Sequence, residues 1–281
     1  MQKLKRIIAC VLAVCVLCGF AGCGDAKKKK KSDKLSIVCT LFPQYDFVRE
    51  IVGGKADVTL LLTPGTDSHS YDPSPADMVK ISECDLFVYT GNLMEAWTAQ
   101  VIETLPESVK VLNVSDGLEL SAVKQEDKED IDEHEHEHAA DPHVWTNPQN
   151  AVKISRRIAD MLCEIDPDNT DEYTASANEY IKKLEALDEE IEKTVKAADY
   201  KKIVVCDRFS MHYFCQRYGI DYIAAFDSCT ANTEPSPAVI VEITNEVKEN
   251  NIPAVFAAEL SNRKVADAVA EQTGAAVLEL H

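Results

Sequence analysis

Apolar residues along the chain follow two alternating rhythms. Short unbroken runs set the first: LSIVCTL, VTLLL, DLFVYT and VKVLNV in the first half, KIVVC, DYIAAF, AVFAA and AVLEL in the second. These runs are too short for buried helices and rich in Val, Ile and Leu, which predicts strands covered on both faces. Between them lie YDFVREIVGG, SPADMVKISEC and NLMEAWTAQVIETL, then SMHYFCQRYG, SPAVIVEITNEVKENN and NRKVADAVAEQTG. Their apolar positions fall three and four apart and predict helices, the one holding His212 beginning near Ser210. Strands alternating with helices predict an α/β fold with two lobes, each built on a four-stranded, mainly parallel sheet.

A longer helical signal separates the halves. Asn147 reads as an N-cap and Pro148 as the first helical residue, followed by the stripe Ala151, Ile154, Ile158, Met161, Leu162 and Ile165. Past Pro167 a second stripe runs unbroken through Tyr173, Ala177, Tyr180, Leu184, Leu187, Ile191 and Val195. That pattern predicts one helix over residues 169–198, about 35–40 Å long, joining a lobe over residues 35–168 to a lobe over residues 199–281. A strut of that kind limits hinge motion.

The first residues stand apart. MQKLKR is a short basic segment, IIACVLAVCVLCGF is a short apolar run, and FAGC brings small residues up to a cysteine. This order predicts a lipoprotein signal peptide over residues 1–22 and a lipid on the Cys23 sulfur. An ordinary signal peptide and an uncleaved anchor are the alternatives. Residues 23–34, GDAKKKKKSDK included, then read as a tether whose lysines are attracted to anionic headgroups. The expected location is the outer face of a bacterial cytoplasmic membrane, held there by the N-terminal lipid.

Composition narrows the partners. With 29 basic against 48 acidic residues the chain carries a formal charge of −19, and most of its basic residues are scattered, which argues against nucleic acid. Six cysteines follow Cys23 (Cys39, Cys84, Cys163, Cys206, Cys215 and Cys229), and no two are spaced CxxC, so neither a zinc ribbon nor a thioredoxin-type site is indicated. They read as small buried apolar residues; one disulfide is compatible with an extracytoplasmic setting, and the sequence assigns no pairing.

Four of the seven histidines fall within DEHEHEHAADPHVW, in and just after an acidic loop over residues 125–140. Ligands of open α/β sheets sit at the carboxyl ends of strands. After VTLLL comes His69; after the acidic loop comes His143, framed by Pro142 and Trp145; after KIVVC comes Asp207; after AVLEL comes His281. A lone loop histidine is more often a surface residue. Four donors in equivalent loops, facing one cleft between lobes, instead suit a closed tetrahedral zinc site with bonds of about 2.0–2.2 Å.

The segments TPGTDSHSYDPSPADM, DPHVWTNPQNAVKI and TANTEPSP resemble the signatures of the substrate-binding lipoproteins of zinc and manganese ABC transporters. The resemblance covers nearly the whole chain after the signal. It implies two α/β lobes joined by one long rigid helix, a metal ion in the cleft between them, three histidines and a carboxylate as ligands, and delivery of the ion to an ABC transporter permease. A monomer is expected. The first two histidines carry over onto His69 and His143. The other two positions depart from the family pattern: a carboxylate, Asp207, stands near the third and a histidine, His281, at the fourth. Asp207 is the first choice for the third ligand, with Cys206 and His212 open, and Glu259 is an additional carboxylate or a partner to a ligand. Related proteins continue through a last helix where this sequence ends at His281.

The resemblance further implies that His134, His136 and His138, in the acidic tract, gather ions near the cleft. That favours Zn2+ over Mn2+, while a solvating acidic linker is the plain alternative. The leading expectation is a non-enzymatic zinc receptor. A manganese receptor or a surface adhesin on the same scaffold comes next. A zinc hydrolase comes last, because no HExxH motif is present and Glu259 would have to act as the base.

Overall fold

Each of the eight apolar runs folds as a strand in the computed structural model, which describes residues 34–63, 65, 66, 68, 70–121, 140–226, 235–259 and 261–280. The strands are β1 Ser36–Cys39, β2 Asp57–Leu60, β3 Leu86–Tyr89 and β4 Lys110–Asn113, then β5 Lys202–Arg208, β6 Asp221–Phe226, β7 Ala254–Ala258 and β8 Ala276–Leu280. They form two four-stranded sheets ordered β2-β1-β3-β4 and β6-β5-β7-β8, and every neighbouring pair is parallel. Both sheets reverse their strand order at the same place, between β1 and β3 and between β5 and β7. A crevice opens outside the carboxyl ends at such a reversal.

The helices are α1 Phe42–Val52, α2 Pro75–Glu83, α3 Thr98–Ile102, α4 Pro148–Ile165, α5 Thr170–Ala197, α6 His212–Tyr218, α7 Pro237–Glu249 and α8 Lys264–Thr273. Local chemistry fixes several of their ends. Ser74 and Asp77 cap α2 reciprocally, and the Asn147 side chain accepts from Gln149 N at the start of α4. The α4 stripe buries Ala151, Ile154, Ile158 and Leu162 in one core with Ile37 and Val88 of the first sheet, Val48 and Ile51 of α1, and Tyr173 of α5. Among the described residues no helix is long and apolar enough to cross a membrane.

Three expectations change. The helix expected over NLMEAWTAQVIETL shrinks to α3, because the Glu95 carboxylate folds back over the end of β3. It accepts from Thr40 Oγ1 at 2.5 Å, Thr90 N at 3.2 Å and Gly91 N at 3.2 Å. Gly91 is required there: its φ is +144°, and a Cβ would meet Ser115 Oγ at 2.7 Å. The helix α6 begins at His212, past the expected Ser210. In α5 the buried line is Tyr173, Ala177, Ile181 and Leu184, after which Leu187 is exposed. Only the first half of α5 is therefore a core helix; beyond Leu184 it carries polar contacts to α6.

Burial raises the Glu95 carboxyl above its ordinary value, against the lowering effect of its three donors. A raised carboxyl pKa in the folded chain means that the native state holds a proton the unfolded state has released. Stability from this group is fully present below the ordinary carboxylate range and is lost as pH rises through the raised value. Glu95→Gln should remove that slope and lose about 1–3 kcal/mol, since one amide nitrogen would face backbone donors. Urea denaturation across a pH series checks this; an unchanged slope would refute it.

The signal segment, Cys23 and nearly all of the tether lie outside the described residues. So do His69, most of the acidic loop with His134, His136 and His138, Cys229, most of the TANTEPSP segment and His281.

Candidate metal centre

His143 sits at the entry to a single 3-10 turn, Val144–Thr146, that leads into α4. The sequence builds this corner from a proline, which cannot continue a strand ladder, and from a capped helix start five residues on. The imidazole is buried, 5% exposed, and its Nδ1 lies 2.9 Å from Asp141 Oδ1. The same carboxylate oxygen accepts from His143 N at 2.7 Å. Thr146 Oγ1 donates to His143 O at 2.9 Å, and the Trp145 ring meets the imidazole edge-on at 5.3 Å. A carboxylate facing Nδ1 holds the proton on that nitrogen, which puts the ring lone pair on Nε2. That is the tautomer a divalent cation needs, with the ring direction already set.

Asp141 is the partner of His143 that the sequence reading missed. Its signal is present in DPH: an acidic residue two positions before the histidine, with a proline between them to turn the backbone. Asp141 is itself only 5% exposed, so its carboxylate is committed to this loop.

Beside the loop, Pro142 and Val144 line a cavity of 210 Å³ with Thr90, Gly91, Asn113 and Ser115. These last residues lie at or just past the carboxyl ends of β3 and β4, so the His143 corner lies at the carboxyl edge of the first sheet.

In the second half, Asp207 lies within β5 and not after it, at an irregularity where the pairing with β6 shifts between Val205 and Arg208. Bulges of this kind re-aim a side chain at a sheet rim. Asp207 is half-buried, and its Oδ1 accepts from Arg208 N at 2.7 Å. Cys206 packs in the core with Val204 and Val255. Burial, with the neighbouring Asp207 charge adding to it, pushes its thiol up to about 12. His212 opens α6 with Nδ1 3.4 Å from Tyr222 Oη, and it lines a separate cavity of 820 Å³ along β6. Glu259 is exposed, at the end of β7, and its backbone N–H donates to Leu280 O at 2.8 Å.

Among the described residues no three His, Cys, Asp or Glu side chains are grouped so as to hold a metal ion. The described structure thus fixes one imidazole with its positioning carboxylate, and places Asp207 and Glu259 at the carboxyl ends of the two strands that flank the second reversal point.

Two parallel sheets of identical order, joined by a long helix and carrying an oriented imidazole at the carboxyl edge of the first, define a binding scaffold. Residues 37–281 match the family model described as zinc-uptake complex component A, periplasmic. The high-affinity zinc uptake system protein ZnuA of Bacillus subtilis is 35% identical over 272 residues, covering 94% of this chain and 84% of that protein. The zinc-binding lipoprotein AdcA of Streptococcus pneumoniae is 31% identical over 277 residues, and the chain spans about half of it, 54%. The crystal structure of the Zn(II)-bound ZnuA-like domain of S. pneumoniae AdcA superposes with a TM-score of 0.73 at 30% identity, covering 88% of this chain and 87% of that one. The chain belongs to the zinc-uptake component A family, a family of solute-binding proteins and not of enzymes.

Proposed function

We propose that this protein is an extracytoplasmic receptor that binds one zinc ion and hands it to an ABC transporter permease. The observation that carries the proposal is the buried His143 imidazole, held by Asp141 in the tautomer that presents Nε2 to a cation. His69, Asp207 and His281 are the other proposed donors, giving three imidazoles and one carboxylate. That is a nitrogen–oxygen set suited to zinc. Membership in the family supports the transport role, and the AdcA name supports lipid attachment, here through Cys23. The receptor is proposed to work as a monomer.

The test is elemental analysis of the protein purified without added metal, followed by zinc competition titrations of the native chain, Asp207→Ala and His212→Ala. One equivalent of zinc is expected, with Asp207→Ala weakening it far more than His212→Ala. Removing the carboxylate leaves the dication among neutral imidazoles. Manganese in place of zinc would overturn the ion assignment. A larger loss in His212→Ala would move the third donor to that histidine.

A further inference from the structure

The His143 corner is held from its own loop and also from the other half of the chain. Tyr213, on α6, is only 2% exposed and packs into the core of the first sheet. Its hydroxyl donates to Asp141 O at 2.7 Å and accepts from Ser121 N at 3.1 Å. Asp141 N in turn donates to Ser121 O at 3.0 Å. Three hydrogen bonds therefore close a ring through Ser121, Tyr213 and Asp141. A second contact, Ser121 Oγ donating to Gln216 Oε1 at 2.7 Å, ties the same corner to the next turn of α6.

We propose that Tyr213 is a positioning residue for the cation site, its hydroxyl fixing the Asp141 peptide and, through the Asp141 carboxylate, the tautomer and direction of the His143 ring. The reasoning rests on the reading of His143 as a cation donor. Asp141 belongs to both hydrogen-bond systems: its backbone is locked by Tyr213 and Ser121, and its Oδ1 holds both the His143 N–H and the imidazole. With the backbone locked, the carboxylate has little freedom to rotate away. Because Tyr213 follows β5 while His143 precedes α4, the ring also couples the second half of the chain to a donor supplied by the first. Any cation that binds the oriented His143 ring then favours the seating of α6 against the first core, and the reverse holds by linkage.

Tyr213→Phe tests this in the full chain, since phenylalanine keeps the buried ring and removes only the hydroxyl. Zinc affinity should fall about tenfold, the lower end of what losing a partner that orients a ligand costs. In the metal-free protein, nitrogen-15 NMR of His143 should change from a single Nδ1–H tautomer to a mixture. In an Asp141→Ala background the Tyr213→Phe substitution should cause little further loss of affinity, because the acceptor that links the two residues is already gone. Native affinity together with a native His143 tautomer in Tyr213→Phe would overturn the proposal. So would an affinity loss that persists undiminished in the Asp141→Ala background, which marks a general loosening of the fold. His143→Ala is the separate control. If it binds zinc normally the site itself is misassigned, whereas a strong loss there beside an inert Tyr213→Phe sinks only the relay.

Discussion

Replacing His143 by alanine should lower zinc affinity by at least about a hundredfold, or about 3 kcal/mol, as one of four proposed donors to an ion whose binding in such sites totals about 10–16 kcal/mol. The size of the effect comes from preorganisation. The ring is oriented before any ion arrives by the Asp141 contact at 2.9 Å and by the edge-on Trp145 ring at 5.3 Å. Little entropy is then spent in placing this donor, and a flexible substitute cannot recover the loss. Alanine also leaves the buried Asp141 carboxylate with one fewer donor, so the metal-free protein should be less stable by about 1–3 kcal/mol. A competition titration against a chromophoric chelator reads the first effect and urea denaturation in chelator the second. Native affinity in the variant would remove His143 from the site.

Asp188→Ala should cost about 2–4 kcal/mol near neutral pH, which is large for a residue on the polar half of a helix. Asp188 stands on α5 beyond the buried line and accepts from Arg217 Nε at 3.1 Å, Arg217 Nη2 at 2.8 Å, Tyr218 Oη at 2.7 Å and Gln149 Nε2 at 3.2 Å. One carboxylate thereby joins the long helix, the start of α4 and the end of α6. Its side chain is 13% exposed and that of Arg217 is 21% exposed, so the pair is screened less than an open surface bridge. Partial burial alone would raise this carboxyl, but Arg217, Tyr218 and Gln149 together outweigh it and hold the group below its ordinary value. A depressed carboxyl pKa stabilises the fold above the ordinary carboxylate range, and that contribution is lost as pH falls through the depressed value. The stability gap between native chain and variant should therefore be widest near neutral pH and close on acidification. A gap independent of pH would show that packing, not the ion pair, holds α6 against α5.

The Asp188 contacts meet α6, which the sequence describes poorly. SMHYFCQRYG has an apolar periodicity compatible with more than one helix phase, and a seven-residue helix carries too few positions to choose between them. Its true orientation follows from Tyr213 entering the first core and from Arg217 meeting Asp188, and both partners lie far away in sequence. The acidic residues of α5 pose the same difficulty. Asp188 sits among Glu185, Glu189 and Glu190 and looks like any solvated helix position until α6 is laid against it.

The sequence by itself determined the eight strands, the bounding helices, the N-cap at Asn147 and the parallel arrangement of both sheets. Runs of Val, Ile and Leu buried on two faces have no other comfortable structure, and capping depends on residues a few positions apart. It also singled out His143, because a histidine framed by proline and tryptophan before a helix start is a local pattern. Only the tertiary structure decided that Asp141 holds that imidazole, that Tyr213 reaches across to hold Asp141, that Glu95 abolishes the first turns of an expected helix, and that Asp207 sits within β5 at an irregularity. Each of these depends on where a polar atom finds its partner once burial has removed water. Donor and acceptor are then matched by geometry between distant segments, and no periodicity along the chain encodes that match.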